Sequence, residues 1–442
     1  MWMKCRRTIG MRNNRSVQGI TLNVILTITI LISIVLTACV FMSIGQQQNV
    51  SSSNQQDQQS VTAFRPTNYI INDKDGTQNM VMHADNQQIK TMRGYLTSAE
   101  IKNPHKKKVS NATIISAISK KQSAVYRYPD VVPIDYFNAR YNQHIATIKN
   151  FNFDYFVLSL DKSNLAYFIN TQTKTMVTVS LSKINTAKMW ELAEKLPKAL
   201  TVNFKELNNR VRLNFPKEIK LPIYSYLVNH RDPTTYVSTL LGTTNQLKTT
   251  TSGNKVIYTN KFTDQQVTYD PDVDTVTFKD NKADGKLDKT YAARLNIGFS
   301  QINLLQLNLT DTRFYESRND GKNVTYRTFV EGMPVYYQSE SGAIHMTLDN
   351  HGNLISTYSL NELGVPVPNN QKEVTLPKTA DILNRLKRAG VKESDYYFVT
   401  PGYEWLVNKD SHAAVNMSPT WMIETASGWQ SVDDFLNART KR

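Results

Sequence analysis

Few residues of this 442-residue chain have the types and spacing that catalysis or metal binding requires. Ser180 and Lys183 match the Ser-x-x-Lys spacing of acyl-serine enzymes, but no Lys-Thr-Gly or Ser-Asp-Asn motif accompanies them. The carboxylates of residues 270–274 alternate as in a calcium loop, yet the sixth position, which requires glycine, is Thr275. We therefore expect a strand end at Ser180 and a charged turn at 270–274.

The remaining chemical signals are weaker still. The seven histidines are scattered without metal-ligand spacing, and both cysteines, Cys5 and Cys39, precede residue 45. A basic cluster at 105–108 has no aromatic residues between its charges, so we expect a solvated loop or a contact with anionic lipid or wall polymer. The sequence thus predicts no enzyme activity, no cofactor, no metal and no nucleic-acid partner.

One long apolar segment, at 20–44, separates a short N-terminal tail from the long remainder of the chain. A helix of this length covers roughly 37 Å and can cross a bilayer. Five basic residues and no acidic residue lie in the 15 residues at the N-terminus. The positive-inside rule therefore predicts a single-pass protein of the plasma membrane, with a cytoplasmic tail at 1–19 and an extracellular region after Gly45.

Two alternatives to a permanent anchor are a cleaved signal peptide and a lipoprotein. A signal peptide has a shorter apolar region and a small-residue exit site, whereas this segment ends in Phe41, Met42 and Ile44. The residues Leu36 to Cys39 resemble a lipobox, in which Cys39 would be acylated, although apolar residues follow it. A lipoprotein or wall-binding protein that takes a small ligand or a wall polymer is therefore the alternative function.

Composition suggests a large external region that folds without cross-links. Hydrophobic residues make up 40% of the chain, and no cysteine follows Cys39. The net charge is +15, which favours contact with an anionic surface. An external region without disulfides fits the outer face of a bacterial plasma membrane.

Hydrophobic periodicity, caps and turn residues predict an α+β fold with helices packed on antiparallel sheets. The predicted helices are 111–120, 133–144, 185–196, 233–241, 290–308 and 380–389. The predicted strands are 64–71, 155–160, 165–170, 175–181, 255–260, 265–270, 274–279, 323–331, 335–340, 344–348, 354–359, 396–399, 403–408 and 420–424. An order of helix then hairpin strands occurs after Pro233, after Thr290 and after Thr379, which indicates a weak structural repeat.

Several short motifs resemble the YycH (WalH) family of single-pass regulators from Gram-positive bacteria. They are the basic tail with one membrane helix, Phe64-Arg65-Pro66-Thr67, Arg127-Tyr128-Pro129-Asp130, the run from Thr328 to Val335, Pro401-Gly402-Tyr403-Glu404 and Ser418-Pro419-Thr420-Trp421. The resemblance covers nearly the full chain, and none of the motifs is catalytic.

The resemblance implies an accessory regulator of the WalK (YycG) sensor histidine kinase, which acts with a YycI-like partner. It also implies a three-domain external region whose last two domains resemble each other and YycI. We place the boundaries at 1–19 for the tail, 20–44 for the membrane helix, 45–62 for a flexible linker, and 63–220, 221–297 and 298–442 for the three domains.

Polar residues of the membrane segment are the candidate contacts with the kinase. Thr29, Ser33 and Thr37 recur every four residues and form one stripe, while Asn23 and Thr27 form a second. The hydroxyl groups of the threonines and the serine can instead donate hydrogen bonds to carbonyl oxygens of their own helix, so the sequence allows either this role or contact with the kinase. The amide of Asn23 is harder to satisfy within its helix, which makes it the stronger candidate.

Overall fold

The computed structural model describes most of the chain after residue 62: 63–82, 86–145, 150–242, 247–281, 290–305, 312–336, 343–368, 372–407 and 413–440. The predicted membrane helix at 20–44 and the linker at 45–62 lie outside these ranges. Within them, no helix combines the length and the apolar composition needed to cross a bilayer.

Nine antiparallel strands from the N-terminal half of the described chain form the first sheet. They are β1 (Asn68–Asn72), β2 (Gln78–Val81), β3 (Glu100–Lys108), β4 (Ser123–Pro133), β5 (Asn152–Ser159), β6 (Leu165–Asn170), β7 (Thr175–Ser182), β8 (Lys198–Leu207) and β9 (Arg210–Asn214). Their order is β3-β7-β6-β5-β4-β1-β2-β8-β9. The β5-β6-β7 meander confirms three predicted strands.

The C-terminal half of the described chain supplies a second, fourteen-stranded sheet and a small sheet of β10 with β22. The strands are β10 (Ile219–Pro222), β11 (Tyr224–His230), β12 (Leu247–Ser252), β13 (Lys255–Asn260), β14 (Gln265–Asp270), β15 (Thr275–Asp280), β16 (Thr312–Arg318), β17 (Asn323–Val330), β18 (Met333–Tyr336), β19 (Ala343–Leu348), β20 (Leu354–Ser359), β21 (Asn361–Val367), β22 (Glu373–Leu376), β23 (Phe398–Val407), β24 (Ala414–Thr425) and β25 (Gly428–Ser431). The main path is β12-β13-β14-β15-β20-β19-β17-β18-β23-β24-β11-β21, with β16 beside β17 and β25 beside β24. Strands β18 and β23 pair in parallel, which departs from the predicted antiparallel arrangement.

Eight α-helices lie among the described residues. They are α1 (Asn86–Ser98), α2 (Asn111–Ile118), α3 (Ile134–Tyr141), α4 (Thr186–Glu194), α5 (Pro233–Leu241), α6 (Tyr291–Leu304), α7 (Thr379–Arg388) and α8 (Val432–Thr440). Local capping explains why several begin where the sequence predicts. Asp232 accepts a hydrogen bond from the Thr234 backbone N–H at 2.8 Å in front of Pro233, and Asn185 accepts one from Lys188 at 2.9 Å.

The basic cluster at 105–108, predicted as a loop, lies on β3 at an edge of the first sheet. Lys106, Lys107 and Lys108 are exposed and pair in register with β7. Lysines on an edge strand hinder pairing with the edges of other molecules, which gives this cluster a structural role. The strand lacks the apolar alternation by which strands are recognised in a sequence, so the prediction of a loop was wrong.

The two strands predicted at 396–399 and 403–408 form one strand, β23, which continues through Pro401 and Gly402. The Gly402 Cα lies against Tyr336, and an added Cβ would come 2.6 Å from the Tyr336 ring. Glycine at 402 therefore allows close packing within the sheet and does not break the strand. The strand predicted at 64–71 likewise starts later, at Asn68.

Side chains from both halves of the described chain share one core. Phe64 is 1% exposed and stacks on Tyr136 with ring centroids 3.9 Å apart. Phe299 and Phe314 of the C-terminal half contact the same Phe64 ring, and the Tyr136 hydroxyl donates to Asn296 Oδ1 at 2.6 Å. The described residues belong to one compact unit.

Strand pairing also crosses the predicted boundary between the second and third domains. Strand β11, from the predicted second domain, pairs with β21 and β24 of the predicted third. The three-domain division stays a prediction.

Candidate functional site

The residues predicted to act in the membrane segment lie outside the described residues. They are Asn23, Thr27, Thr29, Ser33 and Thr37, together with Cys39 as the alternative lipidation site. Their roles stay predictions.

Residues of three sequence motifs that are far apart along the chain meet at one cleft. Thr67, Arg127 with Pro129 and Asp130, and Phe329 with Gly332 and Pro334 all line a cavity of about 380 Å³. Strands β4, β5 and β9 of the first sheet form one side, and β16, β17, β23 and the β24-β25 hairpin form the other. The cleft therefore lies where the two sheets meet.

A short hydrogen-bonded chain crosses this junction. The Arg127 guanidinium donates to Asn68 Oδ1 at 2.7 Å and to the Tyr155 hydroxyl at 3.3 Å. The Asn68 amide in turn donates to the Gly332 carbonyl at 2.9 Å. Arg127 is thus oriented by two groups of the first sheet, and one of them, Asn68, is bonded in turn to Gly332 across the junction.

Both the backbone conformation and the close packing at position 332 require glycine. It is the second residue of the tight turn between β17 and β18, where Glu331 and Gly332 have φ of 48° and 78°, a pair typical of a type I′ hairpin. An added Cβ would also come 2.9 Å from the Thr67 carbonyl oxygen. A side chain at 332 would push the hairpin away from Thr67.

We expect Gly332→Ala to lower the free energy of unfolding by more than the 1–2 kcal/mol that a left-handed alanine costs. Gly253→Ala is the matched control, because Gly253 has φ of +59° with no atom within 4 Å of an added Cβ. Urea unfolding of the full chain in detergent, followed by tryptophan fluorescence, measures both. Equal losses in the two variants would contradict a steric role for Gly332.

Two carboxylates lie on the N-terminal side of the cleft, and both accept hydrogen bonds. Asp130 accepts from the Val131 N–H at 2.7 Å, from Gln172 at 2.6 Å and, across the junction, from the Ser317 N–H at 2.8 Å. Burial raises the pKa of Asp130 to about 7, against the opposing effect of these donors. Asp154 accepts from the N–H and hydroxyl of Thr171, and burial raises its pKa to about 6.

Two arginines project into the cleft from β9. Arg210 and Arg212 are two residues apart on a strand, so both lie on one face, while Val211 between them is buried. The Arg212 guanidinium lies 4.2 Å from the Phe398 ring centroid and donates to the Tyr397 carbonyl at 3.2 Å. Burial, together with the neighbouring charge of Arg210, lowers the pKa of Arg212 to about 10.

The opposite side of the cleft carries a paired charge and an aromatic wall. Arg318 forms an ion pair with Glu424 and lies 3.3 Å from Glu316. Trp429 packs on Tyr315, Tyr336 and Phe398, with ring centroids 4.9 to 5.9 Å apart. The indole N–H of Trp429 is buried without a hydrogen-bond partner among the described residues.

The two motifs that resemble an acyl-serine site and a calcium loop have structural roles. Ser180 lies in β7 and donates to the Lys102 carbonyl at 3.2 Å, while Lys183 forms an ion pair with Glu100. Residues 271–274 form the turn between β14 and β15, as predicted. Among the described residues, no group of three His, Cys, Asp or Glu side chains is placed to hold a metal ion.

Sequence reasoning missed several cleft residues, namely Arg210, Arg212, Arg318 and Trp429. The Arg-Val-Arg-Leu run at 210–213 did carry a signal, because its alternation places two arginines on one face of a strand. Arg318 and Trp429 carry no such signal, since they reach the cleft only through long-range pairing of β16, β24 and β25.

Comparison with known proteins covers both halves of the chain. The family model described as "YycH protein, N-terminal domain" matches residues 21–198, and "YycH protein, C-terminal domain" matches residues 216–440. The crystal structure of YycH from Bacillus subtilis has a similar fold, with a TM-score of 0.67 and 13% sequence identity, over 84% of this chain and 96% of that chain. No curated protein sequence gives a significant match. Because the two family models together match most of the chain, this chain belongs to the YycH family.

Proposed function

We propose that this chain is a non-enzymatic, membrane-anchored regulator of a WalK-type sensor histidine kinase. It acts with a YycI-like partner in the two-component system of cell-wall homeostasis. The observation that carries this proposal is the match of the two YycH models to residues 21–198 and 216–440. The first of these matches begins within the apolar segment, which supports a membrane anchor as part of the functional protein.

The membrane helix is the proposed contact with the kinase. Lipid gives helices no hydrophobic reason to associate, so pairing depends on close packing and on interhelical hydrogen bonds. Asn23 and Thr27 on one stripe, and Thr29, Ser33 and Thr37 on the other, supply such groups. By binding one state of the kinase bundle more tightly, the helix shifts the balance between its signalling states.

The external region can set the position of that helix. Phe64 follows the predicted linker at 45–62 within a few residues and is held in the shared core by stacking on Tyr136. A partner that binds the external region therefore acts on a compact body with a fixed attachment point for the linker. This supports joint control by external and membrane contacts.

Replacing Asn23, Thr29, Ser33 and Thr37 together by leucine is expected to weaken association with the kinase at least tenfold. Each interhelical hydrogen bond contributes ~0.6 kcal/mol, and several are removed at once. Co-purification from membranes and the output of a kinase-dependent promoter measure the effect. Unchanged association and unchanged output would contradict the helix contact.

Leucine substitution of Ile28, Ile32 and Val35 is the matched control, because it keeps the apolar character without removing a polar group. Intact mass of the purified protein tests the anchor itself. Cleavage before Cys39 with acylation of its thiol would favour the lipoprotein alternative over the membrane helix.

A further inference from the structure

Three arginines of the cleft, Arg127, Arg210 and Arg212, take part in none of the ion pairs among the described residues. By contrast, Arg318 in the same cleft is matched by Glu424. Arg212 is half-buried, and a guanidinium that is partly removed from water without a directly paired anion is costly.

The carboxylates of the N-terminal side balance the charge of these arginines only in part. Asp130 accepts from the Val131 and Ser317 N–H groups and from Gln172, and Asp154 accepts from the N–H and hydroxyl of Thr171. The charge of Asp154 acts on both Arg127 and Arg212, so two carboxylates face three guanidinium groups on this wall. The cleft therefore has donors in excess on one wall, with the planar geometry that matches oxyanions.

The adjoining wall offers an apolar surface. Phe398 lies beneath Arg212, and Trp429 packs beside Phe398 at a ring-centroid distance of 5.9 Å. A ligand with a ring would cover this surface.

We propose that the cleft binds a small anionic molecule, whose phosphate or carboxylate group is held by Arg127, Arg210 and Arg212. The body of the ligand is a ring that lies against Phe398 and Trp429. The cavity of about 380 Å³ is within the range of small-molecule sites. This binding site goes beyond the proposed contact with the kinase and does not depend on it.

The test measures binding to the full chain in detergent by isothermal titration calorimetry and tryptophan fluorescence. The probes are sulfate, glucose 6-phosphate, glucuronate and uncharged glucose. We expect saturable binding of glucose 6-phosphate or glucuronate, at least tenfold weaker binding of sulfate, and none of glucose. The stronger of the two sugar acids identifies the anionic group as phosphate or carboxylate.

Arg210→Gln and Arg212→Gln are each expected to weaken binding of the sugar acid at least tenfold. The Arg210 side chain is exposed and forms no hydrogen bond with the described residues, so its variant should fold like the wild type even if Arg212→Gln does not. Arg388→Gln, at an exposed position of α7, is the matched control and should bind within twofold of the wild type.

Two outcomes would overturn the proposal. One is the absence of saturable binding of either sugar acid, and the other is equal binding by the Arg210→Gln and Arg388→Gln variants. Trp429→Phe tests the contact with the indole ring, because it should reduce the ratio of the affinity for the sugar acid to the affinity for sulfate. An unchanged ratio would overturn the placement of the ligand ring against Trp429.

Discussion

Replacing Phe64 by alanine is expected to lower the free energy of unfolding by about 3–5 kcal/mol, a large part of the stability of a typical domain. The ring is 1% exposed, stacks on Tyr136 and contacts Phe314 and Tyr326. Its loss leaves a cavity in the core that joins the two halves of the described chain. Urea unfolding of the full chain in detergent, followed by tryptophan fluorescence, measures this change.

Phe64→Leu is the matched control, since leucine fills most of the space but removes the aromatic contacts. We expect it to cost about 1–2 kcal/mol. Because Phe64 also adjoins the predicted linker, Phe64→Ala should impair the proposed regulation of a kinase more than Gly253→Ala, which changes only a distant turn. A loss below 1 kcal/mol in Phe64→Ala would show that the core does not depend on this ring.

Elements with local signals could be predicted from the sequence. Helix α5 occupies 233–241 as predicted because Asp232 and Pro233 fix its start, and β13 and β14 match their predicted ranges because apolar alternation and turn residues bound them. Strand β3 could not be predicted, because its exposed lysines break the apolar alternation. Its pairing with β7 is a long-range contact that no local pattern encodes.

The residues of the cleft could not be predicted as one site for the same reason. Thr67, Arg127, Asp130 and Gly332 stood out only as parts of motifs that resemble a family, with no chemical role attached to them. Their meeting at one site depends on how the first sheet packs on the second. The alternation at 210–213 places Arg212 on one face of a strand with Arg210, but such arginines are usually solvated, and its stacking on Phe398 becomes visible only in the folded chain.

Asp130→Asn is expected to change how stability depends on pH. Burial raises the pKa of Asp130 to about 7 in the folded state, from a usual value near 4. A carboxyl with a raised pKa contributes stability that is complete below pH 4 and is lost as the pH rises to about 7. The stability of the wild type relative to Asp130→Asn should therefore fall across this window by up to about 1.4 kcal/mol per pH unit.

Comparison of the two proteins cancels the contributions of the charged neighbours of Asp130, except for Asp154, whose pKa of about 6 depends on the charge of Asp130. Asp154 and Glu316 raise the pKa of Asp130 further, and Arg127 and Arg318 line the same cavity, but all four are present in both proteins. Between pH 5 and 8 the wild type should have its largest advantage at pH 5, because the folded state still holds the proton of Asp130 there while the unfolded state has lost it. Above pH 7 the difference should become constant. Unfolding curves between pH 5 and 8 that stay parallel for the two proteins would show that Asp130 ionises normally, and that the junction between the two sheets is not sensitive to its charge.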